Sequence, residues 1–235
     1  LPGTVWAQSQ PQKSLGQKTA IKKTATQDTA QALSQGEKLS KQYKYKEAEP
    51  YFTEALRSNP KSVSAMLGLS KVYRHQGKPS QSYSLVNAAI SLEPNNALCY
   101  IESAKLFHVL HRYPKAILAC KKAVQLAPDN AEAYYYLGRI AEDDSNPEEA
   151  VTAYMQVGIG PEYLAANTRI GLILAGQGEL ERSHAWFEQQ RENIPPLREQ
   201  LYGLEVDILT RANATQEAEQ VLDQALKETP GSVSL

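Results

Sequence analysis

His108 and His111 stand three residues apart, a spacing that puts two imidazoles on one side of a helix within reach of a shared metal ion. No third ligand follows at a matching interval, so no metal site is expected. Paired carboxylates, the residue type that general acid-base work requires, occur at Asp143-Asp144 and Glu148-Glu149. Both pairs fall where one helix should end and the next begin, and capping and the helix dipole account for them there. Nucleophilic hydrolysis would need a residue on a strained turn beside a base, and no Gly-x-Ser-x-Gly or equivalent is present. Cys99 and Cys120 lack metal-ligand spacing and are too few for a disulfide framework. Both sit on apolar helical faces, where a thiol behaves as a small hydrophobe; a disulfide is the alternative. Every glycine is isolated or in a turn, so no phosphate-cradling loop forms. The chain is expected to be no enzyme and to need no cofactor.

The elements that would position such groups are helices. Leu, Ala, Glu, Gln and Lys dominate the 235 residues, and Phe and Trp are scarce at 3 and 2, a composition that favours an all-α protein. No run approaches eighteen apolar residues, so nothing in the sequence reads as a membrane-spanning helix. Residues 1–29 read as a basic leader too poor in large apolar side chains to order itself. Val5 and Ala7 stand where the -3 and -1 positions of a secretory cleavage site would be, which points to export. After the leader, proline recurs at Pro60, Pro94, Pro128, Pro161, Pro195 and Pro230, with gaps of 34, 34, 33, 34 and 35. A fixed period of this length is the signature of a repeat architecture. Small residues keep step, at Ala48, Ser82, Ala116, Ser183 and Ala218, each twelve before a proline, and at Ala55, Ala89, Ala123 and Ala225, each five before. "DSNPEEA" places Asn146 at an N-cap and Pro147 at the first helical position.

"YYYLGRIA" followed by "EEAVTAY", with Tyr134, Leu137, Gly138, Ala150 and Tyr154, and the set Ala48, Phe52, Ala55 and Pro60, carry a resemblance to the tetratricopeptide repeat family. The resemblance implies a right-handed α-solenoid of about six helix-turn-helix units, over residues 29–62, 63–96, 97–130, 131–163, 164–198 and 199–235, so that the solenoid spans 30–235. Gly36, Gly138 and Gly171, with Ala48, Ala116 and Ala218, should let helix backbones approach, and Phe52, Tyr73, Phe107, Tyr134 and Phe187 should fill the space between units. Three places depart from the pattern: Gln35 and Glu205 stand where the family has Leu, and the fourth unit ends early in "VGIGPEY". "GSVSL" follows Pro230 with no polar capping helix, which reads as a longer array or a terminal contact.

Binding is what such an architecture offers. The family's groove positions fall here on Leu67, Lys71, Arg74 and His75, on Leu98, Ile101, Lys105 and His108, and on Tyr135, Arg139, Glu142 and Asp143. Basic heads beside apolar and aromatic bodies suit an extended peptide carrying carboxylates. The chaperone-tail carboxylate clamp of some family members is disfavoured, because Leu33, Glu37, Leu67 and Lys71 occupy its places. Charge is segregated along the chain: residues 1–128 hold 18 Lys and Arg against 7 Asp and Glu, whereas residues 129–235 hold 7 against 19. That asymmetry suggests a basic half facing an acidic protein or, peripherally, a membrane surface. It also admits an alternative function, self-assembly in which the acidic end of one solenoid docks head-to-tail on the basic end of the next. Nucleic acid is not expected, since the cations are not interleaved with stacking aromatics.

The segment "QVGIGPEYLAANTR" and its surroundings are similar to tetratricopeptide proteins of the Gram-negative envelope, including lipoprotein adaptors of carboxyl-terminal processing proteases. That likeness implies a scaffold or adaptor in the periplasm or cell envelope, with a cytoplasmic place as the alternative, and an envelope protease or assembly factor as partner. The lipobox cysteine those lipoproteins need is missing near Ala7.

Overall fold

The computed structural model describes residues 29–228; the leader, the Val5/Ala7 pattern, Pro230 and "GSVSL" lie outside them. The described residues form α-helices joined by short turns and contain no strand. In order these are α1 (29–41), α2 (Tyr45–Ser58), α3 (Val63–His75), α4 (Pro79–Leu92), α5 (Ala97–Val109), α6 (Tyr113–Leu126), α7 (Ala131–Asp143), α8 (Pro147–Tyr154), α9 (Tyr163–Gly176), α10 (Leu180–Asn193), α11 (Arg198–Arg211) and α12 (Thr215–Glu228). The chain divides into two compact units, one ending at Glu102 and the other beginning at Ser103.

Two backbone devices alternate along the helices. Each odd-numbered helix ends in a six-to-one hydrogen bond, from Lys44 to Leu39, Lys78 to Tyr73, Arg112 to Phe107, Asn146 to Ala141, Glu179 to Leu174 and Ala214 to Leu209, at 2.8–3.0 Å. This bond defines the Schellman motif, and it needs one residue in the left-handed region. Tyr43, Gly77, His111, Ser145, Gly178 and Asn213 fill that place, with φ between 53° and 80°. The even-numbered helices stop differently. Asn59, Glu93, Ala127 and Ile194 each precede a proline and sit at φ from -132° to -141°, because the proline ring expels its predecessor from the helical region. The recurrent prolines thus end helices through the residue before them.

Caps and breaks modify the scheme locally. Ser62 and Asn130 cap α3 and α7 through side-chain bonds from the amides of Ala65 and Ala133. Asn146 occupies the N-cap of α8 but makes no capping bond; its amide turns back toward Asp144. Pro147 does hold the first helical position. Helix α8 has 8 residues where α6 and α10 have 14, since Gly158, Gly160 and Pro161 cannot prolong it.

Close crossings hold each unit together. In the first unit, Phe52 of α2 is fully buried against Gly36 and Gly68. In the second, Tyr154 lies over Gly138, and Phe187 packs on Gly171. Ala48 and Ala116 are completely buried and Ala218 nearly so, as close helix approach demands. Both cysteines are buried and free. Burial, with Glu93 nearby, pushes the Cys99 thiol up to about 11, and burial pushes Cys120 to about 12 against the opposing charge of Lys105. Ellman's reagent at pH 8 is therefore expected to label neither thiol in the folded chain and both after denaturation in guanidinium. Labelling of native protein at the denatured rate would contradict this packing.

Candidate functional site

The odd-numbered helices carry most of the groove candidates, and successive odd helices are tied by side-chain pairs about one repeat apart. In the first unit Arg74 of α3 meets Glu102 of α5 at 3.2 Å, with both side chains about nine-tenths buried. In the second unit Lys105 Nζ lies 2.7 Å from Glu132 Oε1 and 4.9 Å from the centroid of the Tyr136 ring. His108 Nε2 lies 2.5 Å from Asp143 Oδ2, and Arg169 of α9 pairs with Glu142 of α7. Arg74–Glu102 and Glu142–Arg169 use the same places in their helices with the charges exchanged. The pairing geometry is thus repeated while its polarity is free.

Several of the basic groove candidates have carboxylate partners inside the fold. Ile101 and Lys105 are buried, at 1% and 7% exposure, and serve packing and an internal ion pair. Arg74 is likewise committed to Glu102. His75 leaves the helix face altogether: it is exposed at the end of α3 and stacks on Tyr45, ring centroids 4.0 Å apart and planes within 7°. Leu67 and Lys71 are half-buried on α3, and Leu98 is half exposed at the start of α5. In the second unit Tyr135 and Arg139 are half-buried on α7, and Tyr135 packs on the ring of Tyr154 at 5.7 Å. Asp143 links electrostatically to both His108 and Arg139. The structure therefore places His108, Tyr135, Arg139 and Asp143 in one polar set in the second unit, with Glu142 beside it on α7 held by Arg169 and the Tyr154 hydroxyl. A positive surface on Lys105 is not part of it.

His111, weighed above as a metal ligand beside His108, turns to the Tyr113 hydroxyl at 2.9 Å. A group of three or more metal-ligating side chains is absent among the described residues.

Two buried polar clusters went unread in the sequence. In α9 and α10 the Tyr163 hydroxyl donates to Gln190 Oε1 at 2.9 Å, Asn167 Nδ2 donates to the Tyr163 carbonyl at 2.8 Å, and Trp186 Nε1 donates to Asn167 Oδ1 at 2.7 Å. Tyr163 and Asn167 belong to the segment "QVGIGPEYLAANTR", so these two residues of it have a packing role. An asparagine inside an apolar helix was the available signal, since such a residue needs a partner for its amide. The second cluster explains a departure from the repeat pattern. Glu205, which by repeat spacing stands in the place of Gly138 and Gly171 with Leu204 in the Leu place before it, is 1% exposed and pairs with Arg191 of α10, itself 3% exposed. His184 Nδ1 reaches the other carboxylate oxygen at 2.7 Å, and the Arg191 guanidinium lies 4.1 Å from the Tyr202 ring centroid.

The sequence profile described as tetratricopeptide repeat matches residues 39–102 and again residues 101–163. A TPR repeat-containing protein of Pseudomonas aeruginosa, PA4667, is 29% identical over 103 residues, which is 44% of this chain and 18% of that protein. The chain thus spans about a fifth of the length of the curated relatives it matches. Among solved structures, Pseudomonas aeruginosa PilF aligns with a TM-score of 0.64 at 15% identity, covering 90% of this chain and 96% of the other. PilW, described as a widely conserved type IV pilus biogenesis factor, aligns at 0.62 and 18% identity, covering 88% and 96%. Repeated helix pairs, the glycine-aromatic crossings and the two profile matches agree: the chain belongs to the tetratricopeptide repeat family and has its all-α solenoid fold.

Proposed function

We propose that the chain is a non-catalytic protein-binding scaffold of the bacterial cell envelope, holding an extended peptide of its partner against the odd-numbered helices of the second unit. The observation that carries this reading is the polar set on α5 and α7. His108 is held by Asp143, Glu142 by Arg169 and the Tyr154 hydroxyl, and Tyr135 packs on the Tyr154 ring, so ordering this face on binding takes little further entropy. Their charges are largely paired, which favours a peptide that supplies hydrogen bonds and an apolar side chain over a strongly acidic tail. Tyrosine and arginine, the two residue types that dominate binding hot spots, are both present. Envelope residence is supported by the alignment with PilF and PilW and by the sequence pattern at Val5 and Ala7.

The test is capture of partners, identified by mass spectrometry, from envelope and cytoplasmic fractions, with the parent chain beside Tyr135→Ala/Arg139→Glu. One envelope protein retained by the parent and lost with the variant is expected. A variant that keeps its helical circular dichroism and captures the same proteins would overturn the assignment to this face. Specific capture from the cytoplasmic fraction alone would overturn the envelope location.

A further inference from the structure

The first unit carries a cleft at the turn after α1. It measures about 790 Å³ and opens between the α1–α2 turn and the end of α3, lined by Tyr43, Lys44, Tyr45, Lys46, His75 and Lys78 among others. Its floor is the stacked pair Tyr45–His75, and the Tyr43 ring stands across Tyr45 at 82° with centroids 6.4 Å apart. Two flat surfaces at right angles make an aromatic corner.

Tyr43 is an unexpected residue for its position. It sits at φ 60°, in the turn place that Gly77, His111, Ser145, Gly178 and Asn213 fill elsewhere among the described residues. Glycine and asparagine tolerate that conformation and tyrosine resists it. Its ring is nevertheless 81% exposed, so burial in the fold offsets neither the strain nor the exposed apolar surface. A strained, exposed aromatic beside a cleft points to a ligand. Lys44 and Lys46 form no ion pair among the described residues, and Lys78 lies 5.3 Å from the Tyr73 ring. Glu49 is engaged by Gln76 Nε2 at 2.7 Å, which leaves Glu47 as the other acid of the lining.

From this geometry we infer that the cleft binds an acidic peptide segment carrying an aromatic or large apolar side chain, the ring entering the Tyr43–Tyr45 corner and its flanking carboxylates meeting Lys44, Lys46 and Lys78. The charge balance selects this class. Three lysines against two glutamates leave an excess of one positive charge in the lining. A nucleic-acid site neutralises several phosphates, and stable contact with an anionic bilayer takes a cluster of four or more cations. One or two carboxylates are what this rim can hold. The site is separate from the odd-helix face of the second unit, so either can fail alone.

The test is fluorescence anisotropy of the full chain with a short fluorescein-labelled peptide of alternating Glu and Phe. Controls are the same peptide with Lys replacing Glu, labelled oligothymidylate, and phosphatidylcholine vesicles containing phosphatidylserine. Saturable binding of the Glu/Phe peptide is expected, about tenfold weaker in Tyr43→Gly and in Lys44→Glu/Lys46→Glu, and unchanged in Tyr135→Ala/Arg139→Glu. Tyr43→Gly should also melt at the same temperature as the parent or higher, which separates lost recognition from lost folding. Should that variant melt lower, the exposed lysine pair decides alone. No saturable binding, equal binding by the lysine variant, or preference for oligothymidylate or vesicles would each overturn the inference.

Discussion

Glu205→Ala is expected to destabilise the second unit by about 3–5 kcal/mol, because it leaves the Arg191 guanidinium buried without its counter-charge. Arg191 is 3% exposed and already has one terminal nitrogen without a hydrogen-bond partner, so it has no alternative acceptor at hand. The Tyr202 ring 4.1 Å away supplies attraction but no acceptor lone pair in the plane of the guanidinium. The double variant Arg191→Met/Glu205→Leu should behave oppositely. It removes both desolvated charges and fills their volume with apolar side chains, and such replacements are neutral or stabilising by about 1–4 kcal/mol. Urea unfolding followed by circular dichroism distinguishes the two. A single variant within about 0.5 kcal/mol of the parent would mean that solvent reaches the pair; a double variant as unstable as the single would mean that the pair specifies the α10–α11 packing.

That departure was visible in the sequence, whereas its partner was not. Glu205 stands out against the repeat as a charge in step with Gly138 and Gly171; Arg191 sits fourteen residues away in another helix, and nothing local marks it. The same limit applied to the candidate site. Period, helix ends and the glycine-aromatic crossings are local or strictly periodic properties, and they were legible. Arg74–Glu102 and Lys105–Glu132 join residues 28 and 27 apart, and which cation meets which acid is settled only when helices stack. Counting charges along the chain is silent on such pairing: Arg74, Lys105 and His108 each face a carboxylate. Tyr43 shows the converse. Its αL position could have been read from the turn spacing shared with Gly77 and Gly178, but its cleft depends on His75, one helix pair further on.

The glycine-aromatic crossing of the first unit yields the sharpest non-additive prediction. Phe52 is 1% exposed and clamped on two sides: a Cβ on Gly68 would lie 2.3 Å from its ring, and one on Gly36 would lie 3.0 Å from it. The ring cannot retreat from one glycine without closing on the other. Phe52→Ala should therefore lower stability by about 3–5 kcal/mol through the cavity it leaves. Gly68→Ala should lower it by about 1–3 kcal/mol of overpacking, set against roughly 1 kcal/mol of improved helix propensity. With Phe52 already truncated, the clash is gone and only the propensity gain and some cavity filling remain. Gly68→Ala should then change sign and stabilise the Phe52→Ala background by about 1 kcal/mol. Gly203→Ala in α11 serves as the reference, because no atom lies within 4 Å of its Cβ and only the favourable propensity term applies. Additive effects of Phe52→Ala and Gly68→Ala in guanidinium unfolding would show that the ring relaxes freely and that α1, α2 and α3 are not locked through this contact. Sign reversal would establish that one aromatic and its two facing glycines set the spacing of the first three helices.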